Sequence, residues 1–387
     1  MMDFNIQDFI NNKVTTMQPS GIRKFFDIVG TMEGAVSLGV GEPDFATPWH
    51  IRDAGIYSLE KAQTHYTSNS GLLELRKEIC QYSKKFNLDY APSETLVTVG
   101  GSEGVDLVMR TVLEPGDEVL IHEPSFVCYK PCAALAGGVP VTIETKSEND
   151  FRLTPEEVEE KITPRTKLLV LSYPNNPTGA IMTQEDLEKI AEVVKKHNIM
   201  VLSDEIYAEL TYSGKHCSIA SLPGMKERCI VVNGFSKAYA MTGWRLGYLL
   251  ADEVLVKAMT KVHQYAIMSA PTTSQYAAIE ALKNGEKSIR AMVDEYDGRR
   301  KLIVDAFNRL GLHCFEPEGA FYIFPCIKST GLMSTDFCEK LLYDQKVAVV
   351  PGTAFGECGE GFIRVSYAYS IKQINTAVER IEHFLNK

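Results

Sequence analysis

Between about residues 95 and 250, short β-branched runs alternate with stretches of helical periodicity, and this alternation constrains the fold more than any other property of the chain. Leu96-Val97-Thr98-Val99 reads as a strand ending at Gly100-Gly101. Beyond it Val105, Val108, Met109 and Val112 fall at i, i+3, i+4 and i+7 and mark one face of a helix. The turn Glu114-Pro115-Gly116-Asp117 leads into a second strand at 118–121. The run from Lys167 to Ser172 is apolar through its middle, as a sheet covered on both faces requires. Thr183, with Glu185 and Asp186 behind it, opens a helix that closes on Lys195-Lys196-His197, acids at its positive end and bases at its negative end. Further strands are expected at 199–203, 229–232 and 246–251. The pattern predicts an α/β region built on a mainly parallel sheet flanked by helices.

The last hundred residues change character. A long amphipathic helix is expected from about 289 to 310, apolar strands at 319–324 and 347–350, and a final helix from about 371, which together describe a smaller α+β unit. A chain of 387 residues exceeds what one core usually supports, so two domains are expected. A net charge of −10 disfavours nucleic acid and an anionic membrane as partners. The segment from Met1 to Lys13 lacks the apolar stretch of a signal peptide, and no apolar run approaches the ~20 residues needed to span a bilayer. Nine scattered cysteines with no C-x-x-C pair read as small buried hydrophobes in a reducing cytoplasm, so neither a disulfide framework nor a metal site is expected.

The chemistry is concentrated in fourteen residues, Gly234-Phe235-Ser236-Lys237-Ala238-Tyr239-Ala240-Met241-Thr242-Gly243-Trp244-Arg245-Leu246-Gly247. A lysine in such an apolar, small-residue setting can form a Schiff base with an aldehyde, and an arginine eight positions on can hold a phosphate of the same molecule. A lysine or an arginine alone is usually a solvated or ion-paired surface residue; here Ser236, Gly243 and Gly247 accompany them. Asp204, in Asp204-Glu205-Ile206-Tyr207, follows a strand and so is expected at the carboxyl end of the sheet, where open α/β sheets bind ligands. Taken alone it is also a plausible helix cap, and Tyr207 a core tyrosine. Gly100-Gly101-Ser102-Glu103-Gly104 joins a strand to a helix N-terminus, a setting that favours phosphate but lacks the dinucleotide-binding glycine spacing. Tyr173-Pro174-Asn175-Asn176-Pro177-Thr178-Gly179 forms a rigid loop after another strand. Arg364 lies in the apolar run 362–367, where an unpaired charge is costly.

These segments, in this order and over nearly the whole chain from about Ser20, resemble the class I/II aminotransferases of pyridoxal phosphate (PLP) fold type I, most closely the prokaryotic aromatic and aspartate aminotransferases of subgroup I. The resemblance implies a large PLP-binding domain over 45–285 and a small domain from 1–44 and 286–387. It implies Lys237 as the attachment lysine and catalytic base, Asp204 as the partner of the cofactor's ring nitrogen, and Tyr207 and Asn176 near its phenolic oxygen. Gly101, Ser102, Glu103, Ser236 and Arg245 would hold the phosphate, and Phe126 would stack on the ring. Arg364 would clamp the substrate carboxylate, with Ile22, Gly41 and Asn176 as further substrate contacts. Tyr66, in Thr64-His65-Tyr66, would reach the phosphate bound by a second subunit of a homodimer.

The implied activity is transfer of an amino group from an L-amino acid to a 2-oxo acid such as 2-oxoglutarate. Rival readings are a carbon–sulfur β-lyase of the same fold and a PLP-binding regulator; the regulator is not expected, because too few residues precede Gly21 for a DNA-binding module. The stretch from Val262 to Glu280, where aspartate-specific relatives carry an arginine for the distal carboxylate, contains neither arginine nor lysine, and Ser102 stands where some relatives place a lysine. An aromatic or other apolar donor is therefore expected. Aspartate or an N-acyl-diaminopimelate-type substrate remains the alternative if His263, Arg23 or Lys24 supplies the missing cation.

Overall fold

The computed structural model describes residues 4–17, 19, 21 and 32–387. The expectations placed on Ile22, Arg23 and Lys24 lie outside these residues. The central feature is a seven-stranded sheet of β1 Thr95–Thr98, β2 Glu118–Glu123, β3 Val139–Glu144, β4 Thr166–Ser172, β5 Met200–Asp204, β6 Cys229–Gly234 and β7 Gly247–Leu250. Its spatial order is β1-β7-β6-β5-β4-β2-β3. Alternate residues serve opposite faces: Leu169 and Leu171 of β4 join one hydrophobic cluster, Leu168 and Val170 the other. Cys229 and Val231 of β6 divide from Ile230 and Val232 in the same way. Burial of both faces is why these strands are apolar throughout rather than alternating.

The sheet is mainly parallel, as the alternation predicts, and two of its strands have features that the pattern does not show. β7 runs antiparallel to both β1 and β6, whereas the other pairings in the sheet are parallel. An apolar run fixes that a strand is buried but not which way it runs. β3 was not singled out; it is the edge strand beside β2, with Val139 and Glu144 exposed and Pro140 within it, so it lacks a buried strand's signature.

Helices cover both faces. The one at Gln184–His197 begins in a capping box in which Thr183 Oγ1 accepts from Asp186 N–H at 3.2 Å and the Asp186 carboxylate accepts from Thr183 N–H at 3.0 Å.

A third hydrophobic cluster forms where residues 36–38 meet the C-terminal hundred residues. Val36–Ser37 pairs in parallel with Val347–Ala348. Tyr322–Ile323, Ile363–Ser366 and Val350–Pro351 make a three-stranded antiparallel sheet. The helices Glu286–Arg309, Ser334–Gln345 and Ile371–Leu385 pack around Phe307, Phe321, Phe337 and Tyr367. Leu38 belongs to this cluster, and the chain then crosses toward the large sheet through Gly39 to Phe45. Bidentate contact of Asp44 with Arg299 Nη1, 2.9 Å to each oxygen, ties that crossing to the long helix. Among the described residues no helix is long and apolar enough to cross a membrane, and no group of three or more His, Cys, Asp and Glu side chains is placed to hold a metal.

Candidate active site

At the carboxyl ends of β4, β5 and β6, between the large sheet and the crossing segment, lies a cavity of about 320 Å³. Lys237 enters it from the loop after β6. Its Nζ donates to the Gly41 carbonyl at 2.6 Å. Burial, and then the charge of Arg364, depress the ammonium to about 8, so a minor fraction of the amine is neutral near physiological pH, far more than for an unperturbed lysine.

Asp204 is the last residue of β5, as its sequence position predicts. Burial pushes its carboxyl up to about 6, against the opposing effect of hydrogen bonds from the Tyr129 hydroxyl at 2.8 Å and Ile206 N–H at 3.2 Å. Tyr129 also lies 2.8 Å from Ser172 Oγ. With a single O–H to give, Tyr129 serves the carboxylate, and Ser172 is then free to donate to the tyrosine. The Tyr207 and Tyr322 hydroxyls meet at 2.8 Å on the opposite wall.

Arg364 is almost fully buried. Its Nη1 donates to Asn176 Oδ1 at 2.9 Å and its Nη2 to the Gly39 carbonyl, while the rings of Tyr322 and Phe355 flank the guanidinium, centroids at 4.6 and 4.8 Å. None of these partners is an anion, so a full positive charge stands at the cavity wall, a setting suited to an incoming carboxylate.

Arg245 adopts the left-handed conformation, φ 52°, and its Nη1 donates to the Thr242 carbonyl at 3.0 Å. Its guanidinium passes so close to Gly100 that a Cβ there would lie 2.6 Å from Nη2; Gly100 itself has φ +77°. The left-handed backbone favours glycine at this position, and a Cβ there would push the Arg245 guanidinium aside. Gly101, Ser102 and Ser236 line the cavity beside Arg245, at the N-terminus of the helix Gly100–Val112. Phe126 and Gly41 line it as well.

Two expected site residues stand apart. The Glu103 carboxylate does not face the cavity; it accepts from Val99 N–H and from His263 Nδ1 at 2.6 Å. A carboxylate is the wrong charge for an anion cup, and the fold turns it away. Tyr66 is 81% exposed and lies in a separate open depression with His65 and Pro271. Conversely, Tyr129 and Tyr322 are site residues that the sequence reading missed. Their partners are distant in the chain, and a tyrosine in a helix or strand carries no local sign of such a contact.

The family model for class I and II aminotransferases matches residues 33–381. The chain belongs to that family. It is similar to the aromatic-amino-acid aminotransferase 2 of Thermococcus litoralis, 45% identical over 98% of this chain and 98% of the relative. It is as similar to an aspartate aminotransferase of Pyrococcus abyssi, again 45% identical over 98% of each. The crystal structure of the aromatic aminotransferase from Pyrococcus horikoshii superposes with a TM-score of 0.90 at 44% identity, covering 94% of this chain and 98% of that one.

This aminotransferase is a PLP-dependent transaminase. The residues present fit that cofactor: a partly neutral lysine amine, a buried carboxyl with a tyrosine partner, and a glycine-lined helix N-terminus backed by Arg245 face one cavity. When bound, PLP supplies the aldehyde that takes up the amino group and a ring that accommodates the charge left at Cα.

Proposed function

We propose that this aminotransferase takes an aromatic or other largely apolar L-amino acid as donor, with a 2-oxo acid as acceptor. The charge inventory of the cavity wall carries the reading. Among the described lining residues the cations are Lys237, Arg245 and Arg364. In this reading all three are committed, to the cofactor's aldehyde, its phosphate and the substrate α-carboxylate respectively. Val40, Ile206, Phe126, Tyr207 and Tyr322 supply apolar wall. A second substrate carboxylate would be left without a cation at a cost of several kcal/mol, whereas a ring gains from burial. Of the substitutes considered from the sequence, His263 is wholly buried against Glu103.

The remaining roles follow the same assignment. Gly101, Ser102 and Ser236 join Arg245 and the helix N-terminus in holding the phosphate. Phe126 covers the ring, Tyr207 and Asn176 serve its phenolic oxygen, and Asp204 in its ionised form holds the proton of the ring nitrogen. Gly41 would lie along the substrate. Lys237 would take the proton from Cα, a task suited to an amine near 8.

The working unit in this reading is a homodimer with domains over 45–285 and over 1–44 with 286–387. Thr272 Oγ1 bonds the His65 carbonyl at 2.8 Å and Asn69 Nδ2 the Met268 carbonyl at 2.7 Å. These contacts bring exposed Tyr66, Tyr265, Ile267 and Met268 into one apolar patch suited to a second copy. A cytoplasmic location accords with nine unpaired cysteines.

The test is kcat/KM for phenylalanine, tyrosine, leucine and aspartate with one common acceptor. Phenylalanine or tyrosine should lead by at least about tenfold over aspartate, the discrimination that an unpaired buried carboxylate brings. A clear aspartate preference overturns the proposal, and pyruvate with ammonia released in the absence of acceptor would mark a lyase instead.

A further inference from the structure

The helix Gly100–Val112 has a weakness at the end where the phosphate is expected. Its cap residue is Val99, which has no side-chain oxygen to satisfy the first turn. Glu103 makes up for part of this by reaching back one turn, one carboxylate oxygen accepting from Val99 N–H. The other oxygen is taken by His263 Nδ1 at 2.6 Å. His263 arrives from the helix Glu253–Ala266, is wholly buried, and has no partner at Nε2. Its side chain has a single polar contact, the one that aims Glu103.

We propose that His263 and Glu103 are a positioning pair for the cofactor's phosphate: the histidine pins the carboxylate against Val99 and so keeps an anion out of the cup. This rests on the reading that Gly101, Ser102 and Arg245 hold the phosphate. Glu103 sits in the first turn, within a flexible side chain's reach of the same N–H groups that would receive the phosphate. Released from His263, the carboxylate competes with the phosphate for those donors, and Val99 loses its brace. The pair touches no reacting atom. It acts by fixing the backbone between Val99 and Ser102 and by directing a negative charge away from it.

The experiment uses the cofactor-free full chain, titrated with PLP and separately with pyridoxal, which lacks the phosphate. His263→Leu should weaken PLP about tenfold and leave pyridoxal unchanged, the effect of one lost bond to a charged group. His263→Asn, whose amide can donate from nearly the Nδ1 position, should stay within about twofold of the parent. Should His263→Leu fail to fold, as its melting midpoint would show, His263→Phe fills the same buried space and repeats the test. An unchanged ratio of PLP to pyridoxal affinity in the Leu or Phe variant overturns the proposal, as does an equal loss for both ligands. Arg245→Gln separates this from failure of the underlying reading. If that variant also leaves the ratio unchanged, the phosphate is not held here at all; if it lowers the ratio while the histidine variants do not, the pair alone is refuted.

Discussion

Lys237 and Asp204 are displaced in opposite directions by the same cause, and each displacement makes a prediction. In the cofactor-free chain Lys237 titrates at about 8 against 10.5 unperturbed. Between those values the unfolded chain holds the extra proton, so stability should rise with pH there; below about 8 both states are protonated and the difference is constant. Asp204 lies at about 6 against 3.8, so between those values the folded chain holds the extra proton and stability should fall as pH rises. Denaturation midpoints of the apoproteins should show the parent gaining on Lys237→Met as pH rises from about 8 toward 10.5; a difference that does not change with pH would place the titrating group elsewhere. Borohydride reduction of the holoenzyme should fix PLP to Lys237, as read by peptide mapping, and an adduct at another lysine would end the assignment. Lys237→Ala should bind PLP yet lose transamination, because the covalent partner and the base vanish together. Tyr129→Phe removes a hydrogen bond to a buried carboxylate, worth about 1.5–3 kcal/mol, so kcat should fall by about ten- to a hundredfold with modest change in KM.

The elements divide into those that support the fold and those that carry the site, and substitutions should separate them. Thr183→Ala removes the cap of a helix remote from the cavity wall and should cost about 1 kcal/mol of stability with kcat/KM unchanged. Gly100→Ala acts at the cup itself. The backbone is left-handed there and the new methyl meets the Arg245 guanidinium, so that guanidinium must move from its place beside the helix N-terminus. PLP affinity should fall by at least about tenfold, measured by titration of the apoprotein, while the melting midpoint moves little more than for Thr183→Ala. Equal effects of the two substitutions on affinity would mean that the helix N-terminus is not where the phosphate sits.

For the molecule as a whole, the prediction is assembly. The exposed aromatic and aliphatic side chains of Tyr66, Tyr265, Ile267 and Met268 gather on one surface, and Tyr66 contributes nothing to its own chain's cavity. A dimer gives both facts a purpose, since Tyr66 can then complete the second site. Sedimentation at working concentration should show a dimer, and a fully active monomer would refute it. Tyr66→Phe should weaken PLP binding and leave sedimentation unchanged. Tyr265→Glu, which places a charge on the apolar patch, should shift the population toward monomer with loss of activity.

Lys237, Asp204, Asn176, Arg245 and Arg364, which line one cavity, were marked in the sequence by the resemblance of their segments, taken together and in order, to one family; alone, Asp204 reads as a helix cap and the loop of Asn176 as a turn. The helix Gln184–His197 was legible from its own residues, because its caps and charges are local. Several features were decided only by tertiary structure. The reversed direction of β7 depends on which strands flank it, not on its own residues. The link from Tyr129 to Asp204 spans 75 positions and that from Tyr207 to Tyr322 spans 115, so no window of sequence contains both partners. Glu103 stands in the phosphate-loop motif by spacing, yet a histidine 160 residues away determines where its charge points. Local chemistry is written in the chain because backbone conformation and burial are set by near neighbours. The orientation of a flexible charged side chain is set by whichever partner the fold delivers to it.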